Sequence, residues 1–156
     1  MALRKILTLG EETLRKSSRK VTVIDQRICD ILDDMVQTLK SAQGIGLAAP
    51  QVGILRRIVV IDTGEEVIDL INPEILSQQG EQVGSEACLS VPGKHAIVKR
   101  PMSVKIKALG RDGRAFTLEG EGLMARAFCH EIDHLDGKLY LDCMEEGSLA
   151  DDVVEQ

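Results

Sequence analysis

The chain has 156 residues, of which 44% are hydrophobic and 28% charged, as in an ordinary globular protein, but only 2% are aromatic. The net charge of −6 argues against a nucleic-acid-binding surface, and no apolar run approaches the length of a membrane span. We expect one domain over residues 1–156. We also expect a cytoplasmic location, because the apolar stretch at the N-terminus is too short and broken for a signal peptide.

The first element in chain order is an amphipathic helix. Apolar residues recur at helical spacing from Ile24 to Ala42, with Asp25 as a candidate N-cap and Gly44 as a candidate stop. The next stretch, GIGLAAPQVG (44–53), bears glycines and is predicted to be a loop.

Short β-branched runs follow at 56–62 and 67–76, the second one broken by Pro73. Residues 101–122 alternate apolar and polar side chains on either side of a GRDG turn, which is the pattern of a β-hairpin. These segments predict small antiparallel sheets.

The last strong pattern is a helix within residues 121–137. Its apolar side chains cover most of the circumference, so we expect this helix to be buried. The acidic tail, 144–156, is expected to be a short helix or frayed. Together the elements predict an α+β fold in which small antiparallel sheets pack around a central helix.

This central helix carries an HExxH motif, formed by His130, Glu131 and His134. Residues four apart share one helix face, so both imidazoles can bind one metal ion while the carboxylate of Glu131 lies beside the metal-bound water. Hydrogen-bonded core histidines are the alternative. In metzincins a third histidine follows this motif, but Tyr140 occupies its position here. Other zinc peptidases take a glutamate ligand from a later helix, but too few residues follow His134 for such a helix. Both peptidase families therefore fit poorly.

The third ligand must come from elsewhere in the chain. Cys129 adjoins His130 and therefore points about 100° away from it around the helix. Cys88, in GSEACLSVPG (84–93), would complete a Cys–His–His set with one open position, as catalytic metal sites have. The spacing leaves two alternatives open, since Cys88 could simply pack as a small hydrophobe and His95 could be the third ligand.

Three segments resemble the signature motifs of the peptide deformylase family, in the same order. They are GIGLAAPQ (44–51), EACLS (86–90) and HEIDH (130–134), and LINPEI (70–75) and PMSVKIKALGRDG (101–113) are similar as well. The resemblance covers nearly the whole chain. It implies a metal-dependent enzyme that hydrolyses the formyl group from the N-terminal formylmethionine of nascent polypeptides.

The resemblance also implies roles for individual residues. Cys88, His130 and His134 would bind the metal, and Glu131 would be the general acid and base. This glutamate would take a proton from the attacking water and return it to the departing amine.

The resemblance further implies an oxyanion pocket made by Gln51 and the backbone N–H of Leu89. Gly46 would offer backbone contacts to the substrate. Glu86 would pair with Arg100 behind the strand that carries the metal ligand. A surface ion pair of little worth is the alternative for these two residues.

Substrate specificity is expected to come from the neighbourhood of these groups. Ile45, Leu123 and Ala127 could line an apolar slot for a methionine side chain, and the peptide backbone could add to a strand edge near Glu86 and Ala87. Simple core packing is the alternative for Ile45 and Leu123.

The expected cofactor is one divalent metal ion. The resemblance implies Fe²⁺, while Zn²⁺, Ni²⁺ and Co²⁺ also suit one thiolate and two imidazoles. The expected partners are N-formylmethionyl peptides of nascent chains, with a possible transient contact with the ribosome. No direct binding to nucleic acid or to membranes is expected.

One departure from the family pattern bears on activity. Ala87 stands where glycine is usual, directly before the metal cysteine, and a methyl group is costly there if the position needs a positive φ or a close approach of the substrate. Two alternatives therefore remain: another metal-dependent amidase or peptidase, or a metal-stabilised module with weak or no turnover. The presence of Glu131 and Gln51 argues against the second, because a purely structural site needs neither a base nor an oxyanion donor.

Overall fold

The computed structural model describes residues 2–153 and confirms the α+β fold. The helices are α1 (Gln26–Ala42) and α2 (Leu123–Leu135). The strands are β1 (Gly46–Ala48), β2 (Ile58–Asp62), β3 (Val67–Gln79), β4 (Gln82–Cys88), β5 (Val91–Arg100), β6 (Ser103–Leu109), β7 (Ala115–Glu121) and β8 (Ala150–Asp151). Neither α-helix is both long and apolar enough to cross a membrane.

The strands of this described range form two antiparallel sheets, one with the order β1-β2-β3-β6-β7 and one with the order β4-β5-β8. Both faces of the larger sheet are covered. Along β2, Val59 and Ile61 pack in the apolar cluster that contains α2, while Ile58 and Val60 pack in the cluster that contains α1. Because side chains alternate along a strand, a strand covered on both faces is apolar throughout.

Helix α1 begins and ends close to the predicted positions. The Asp25 side chain accepts a hydrogen bond from the Ile28 N–H at 3.1 Å, as an N-cap does. The helix ends at Ala42, and Gln43, not Gly44, adopts the left-handed conformation with φ of 56°. The predicted stop at Gly44 is therefore wrong by one residue.

The segment predicted as a loop is partly regular, which corrects that prediction. Residues Gly46–Ala48 form β1, which pairs with β2, and Ala49–Val52 form a 3₁₀ turn. Proline is well suited to the first turn of a helix, and Pro50 lies there. As a result, Gly46 lies on an edge strand of the larger sheet.

Pro73 does not end its strand, contrary to the sequence prediction. Strand β3 runs through it, with a register shift between Ile71 and Glu74 and a positive φ of 51° at Asn72. The Asn72 side chain exchanges two hydrogen bonds with the backbone of Val21, each 2.9 Å long. A bulge held by a side chain lets the strand accommodate a residue without an N–H.

The acidic tail also differs from the prediction. Within it, Ala150 and Asp151 form β8, which pairs with His95 and Lys94 of β5. Residues 154–156 of the tail lie outside the described range. Because β8 lies at one edge of the smaller sheet, β4 forms the other edge and borders the site described next.

Candidate active site

The side chains of Cys88, His130 and His134 lie together between the end of β4 and helix α2. One ligand atom from each lies within 4.8 Å of the other two, and Cys88 Sγ is 3.3 Å from His134 Nε2. His130 uses Nδ1 for a 2.6 Å contact with Glu86, which leaves its Nε2 for the cluster. The structure thus brings together the three residues that the sequence suggested as metal ligands.

The alternative ligands lie elsewhere. His95 lies on β5, where it pairs with β8, and its Nδ1 makes a 2.7 Å contact with Asp152. Cys129 is buried in the apolar cluster around α2, and burial raises the pKa of its thiol to about 11. Neither residue belongs to the Cys–His–His cluster.

Glu131 is buried in front of this cluster, and its side chain lies against Gly46 of β1. A Cβ at position 46 would be 2.7 Å from Glu131 Oε2, so only glycine leaves room for this carboxyl group. Its Oε1 is buried and has no hydrogen-bond partner within residues 2–153. Burial raises the pKa of Glu131 to about 7, against the opposing influence of His130.

Glu86 lies behind His130 and is fully engaged. Arg100 donates to both of its oxygens, at 3.1 and 2.8 Å, Arg126 donates to Oε2 at 3.0 Å, and His130 contacts Oε1. Burial opposes ionisation of Glu86, but the hydrogen bonds from His130 and Arg100 outweigh it and lower its pKa to about 2. The Glu86–Arg100 pair is therefore buried, and the surface-pair alternative is wrong.

Gln51 lies on the other side of Cys88. Its Oε1 accepts from the Ala48 N–H at 2.9 Å, and its Nε2 donates to Ser90 Oγ at 3.0 Å and lies 3.6 Å from Cys88 Sγ. The side chain therefore stabilises its own turn. The same contacts also hold its amide group beside the thiol.

Gln51, Cys88, His130 and Glu131 line a cleft of about 450 Å³. Ile45 and Leu123 line it with 43% and 62% of their surface exposed, so neither is a core residue, whereas Ala127 is buried in its wall. Ala87 and Leu89 form another part of its wall. The cleft thus brings together the residues proposed for substrate binding.

Ala87 is not strained. It lies at a register shift between Glu86 and Cys88, where this single residue of β4 faces residues 92–95 of β5. Gln43 and Asn72 are the non-glycine residues with positive φ in the described range, and Ala87 is not among them. The methyl group therefore carries no left-handed backbone penalty.

Three contributors to the site were missed in the sequence. Arg126 and Asp133 bind Glu86 and Arg100 respectively, and Ser90 binds Gln51. Arg126 precedes His130 by four residues, so helical spacing alone places both on one face, and this signal was available. The contacts of Asp133 and Ser90 depend on strands that pack from elsewhere in the chain.

The donor set fits a divalent transition metal. A thiolate and two imidazoles are the ligands of zinc and of its first-row neighbours, and three protein ligands leave a position for water or substrate. The 2.6 Å contact between Glu86 and His130 Nδ1 is the outer-shell bond that ligating histidines usually make. Tyr140 packs on His130 with ring centroids 6.0 Å apart, which further restricts the ring.

Comparison with known proteins settles the family. The family model described as polypeptide deformylase matches residues 3–149. The chain belongs to this family. It is therefore a metal-dependent hydrolase, and the prediction made from the three motifs is confirmed.

Individual relatives support this membership along the whole chain. A peptide deformylase of Acetivibrio thermocellus is 57% identical over 142 residues, which cover 91% of this chain and 84% of the relative. One from Agathobacter rectalis is 53% identical over 155 residues, 99% of this chain and 98% of the relative.

Solved deformylase structures share the fold. The crystal structure of a peptide deformylase from Legionella pneumophila matches with a TM-score of 0.90 and 45% identity, covering 93% of this chain and 88% of that one. The peptide deformylase of Synechococcus elongatus, solved in complex with actinonin, matches with a TM-score of 0.88 and 40% identity over 91% of this chain and 79% of that one.

Proposed function

We propose that the protein, acting as one catalytic domain, removes the formyl group from N-formylmethionyl peptides of nascent chains and that Cys88, His130 and His134 hold the metal ion it needs. The single observation that carries this proposal is the cluster of three ligand atoms within 4.8 Å, bordered by the buried carboxyl group of Glu131. A bound divalent ion would supply Lewis acidity and make a water molecule acidic enough to react near neutral pH.

Glu131 is proposed as the group that moves the proton. It is buried, it has an oxygen without a protein partner among the described residues, and it faces the cleft across Gly46. Such a carboxylate can accept the proton of the attacking water and return it to the departing amine. Glu86 cannot take this role, because four donors occupy its oxygens.

Gln51 and the backbone N–H of Leu89 are proposed to stabilise the charge that develops on the formyl oxygen. Both flank Cys88 in the cleft, and the contacts of Gln51 with Ala48 and Ser90 hold its amide in place before the substrate arrives. Donors that are already oriented need no reorganisation during the reaction, which is why they stabilise its transition state effectively.

The peptide is proposed to bind between two strand edges. Strand β1, with Gly46, is an edge of the larger sheet, and β4, with Glu86 and Ala87, is an edge of the smaller sheet. Unpaired backbone groups on such edges can hydrogen-bond an extended peptide. Ile45 and Leu123, exposed at this cleft, would then receive the methionine side chain.

Two finer points also belong to the proposal. The physiological ion is proposed to be Fe²⁺, which metal analysis after anaerobic purification tests directly. A transient contact with the ribosome is proposed as well, and co-sedimentation with translating ribosomes tests it.

A formate-release assay tests the function itself. The protein, purified anaerobically and loaded with Fe²⁺, is given formyl-Met, acetyl-Met and unblocked Met peptides of the same sequence. Formate release from the formyl peptide alone is expected. Cleavage of the unblocked peptide would instead indicate a peptidase, and bound metal without turnover would indicate a structural site.

A further inference from the structure

Arg126 is a buried arginine in the wall of the cleft that the proposed mechanism does not use. Its Nη1 donates to Glu86 Oε2 and to the Val98 carbonyl oxygen, each at 3.0 Å. Its Nη2 lies beside Gly84, where a Cβ would come within 3.3 Å. The guanidinium therefore connects α2 to both β4 and β5.

The contact with Glu86 completes the bonding of that carboxylate. An ionised carboxylate can accept about four hydrogen bonds, two on each oxygen. Arg100 fills one position on each oxygen and His130 fills the second on Oε1, so Arg126 fills the second on Oε2. Without Arg126 this oxygen would lose a donor in a buried location, and the carboxylate could turn.

Arg126 also balances the charge behind the metal ligands. Arg100 donates to Asp133 as well as to Glu86, so this group contains two carboxylates. Arg100 and Arg126 supply two matching positive charges. Removal of Arg126 would leave Arg100 as the one guanidinium shared by Glu86 and Asp133, so the buried charge of Glu86 would be only partly compensated, which is costly.

We propose that Arg126 is a positioning residue for the metal site. By holding Glu86, it fixes the ring of His130 with Nε2 directed towards Cys88 and His134. This inference rests on the proposed metal-ligand role of that cluster. Arg126 then affects how tightly the metal is retained and the geometry of its ligands, and it does so through the carboxylate of Glu86.

The test compares cobalt-loaded proteins, since Co²⁺ suits these ligands and reports their geometry in its visible spectrum. The variants are Arg126→Met, which keeps the length of the side chain but removes the donors, Arg126→Lys, Glu86→Gln, and the double variant Arg126→Met with Glu86→Gln. The rate of cobalt release to a chelator and the cobalt spectrum are measured for each.

We expect Arg126→Met to release cobalt about 10-fold faster and to shift the spectrum, as loss of outer-shell partners typically does. Arg126→Lys, which keeps the positive charge and an N–H donor group, should recover most of the difference. In the Glu86→Gln background, Arg126→Met should add little, because both changes break the same contact.

Arg111→Met is the matched control. Arg111 also binds two carboxylates, those of Asp33 and Asp69, at 2.6 Å each, but it does not line the cleft. This variant should release cobalt at the wild-type rate even if it is less stable. Should the Arg126→Met chain fail to fold, Arg126→Gln takes its place in the same comparison.

Unchanged release from Arg126→Met, or full additivity with Glu86→Gln, would overturn the positioning role. Equally fast cobalt release from Arg111→Met would also overturn this role, because it would show that the effect is a general loss of stability. Failure of the proposed function is recognised separately, because the wild-type protein would then release no formate or would not hold cobalt at all.

Discussion

Two carboxyl groups lie on opposite sides of His130, and their pKa values are shifted in opposite directions. Behind the ring, Glu86 accepts from two arginines and contacts the ring itself, and its pKa is lowered to about 2. In front of the ring, Glu131 has a buried oxygen without a partner in residues 2–153, and burial raises its pKa to about 7. The contrast supports the proposed division of roles, in which Glu86 orients a metal ligand and Glu131 exchanges a proton.

The largest effect is expected at Glu131. Glu131→Gln keeps the shape of the side chain but removes the base, so kcat should fall by about 10³-fold. Metal content should stay at the wild-type level because the three ligands are unchanged. Formate release and metal analysis on the same preparation check this, and retained turnover would end the assignment of Glu131.

A second large effect is expected at Gly46, which makes room for Glu131. Gly46→Ala would place a Cβ 2.7 Å from Oε2 and displace the carboxyl group, and a small misplacement of a catalytic group can cost about 10²-fold in rate. Gly110→Ala, in the distant β6–β7 turn, is the control and should keep normal kinetics. Equal kinetics for both variants would show that the position of Glu131 is unimportant.

Glu86→Gln should act on the metal and on stability more than on the chemical step. Loss of the charge leaves the buried guanidinium of Arg126 without its carboxylate partner and leaves Arg100 with Asp133 alone, so unfolding should become easier by about 3 kcal/mol. Metal affinity should fall about 10-fold or more. Chelator competition and urea unfolding measure the two effects. With saturating metal, kcat should stay well above that of Glu131→Gln, and the reverse order would contradict the division of roles.

The smallest effect is expected at Asp133, at the outer end of the same network. Its side chain is 27% exposed and binds Arg100 alone among the described residues. Asp133→Asn should cost no more than about 1 kcal/mol of stability, as partly exposed pairs usually do. A loss of metal as large as that of Glu86→Gln would show that the network extends further than we infer.

The sequence predicted local features more reliably than distant contacts. The periodicity of α2 and the spacing of its two histidines are local, so the helix and the shared face of these residues could be predicted from geometry. Cys88 is 42 residues before His130. Ligand chemistry made it a candidate third ligand beside His95, and only the resemblance to a family chose between the two. The contact between Glu86 and His130 spans 44 residues, and its length could not be derived from sequence.

The errors have the same physical origin. Pro73 was expected to break its strand, but the Asn72 side chain binds Val21, far away in the sequence, and stabilises a bulge. Residues Ala150 and Asp151 looked frayed because an isolated acidic segment has no partner, yet the edge of β5 provides one. In both cases tertiary contacts decided the local structure.

X-ray absorption at the metal edge of the purified protein tests the central claim most directly. We predict one sulfur ligand at about 2.3 Å and two imidazole nitrogens at about 2.0–2.1 Å when zinc is bound, with the sulfur signal lost in Cys88→Ser. A metal shell without sulfur in the wild-type protein, or one unchanged by Cys88→Ser, would contradict the Cys–His–His site.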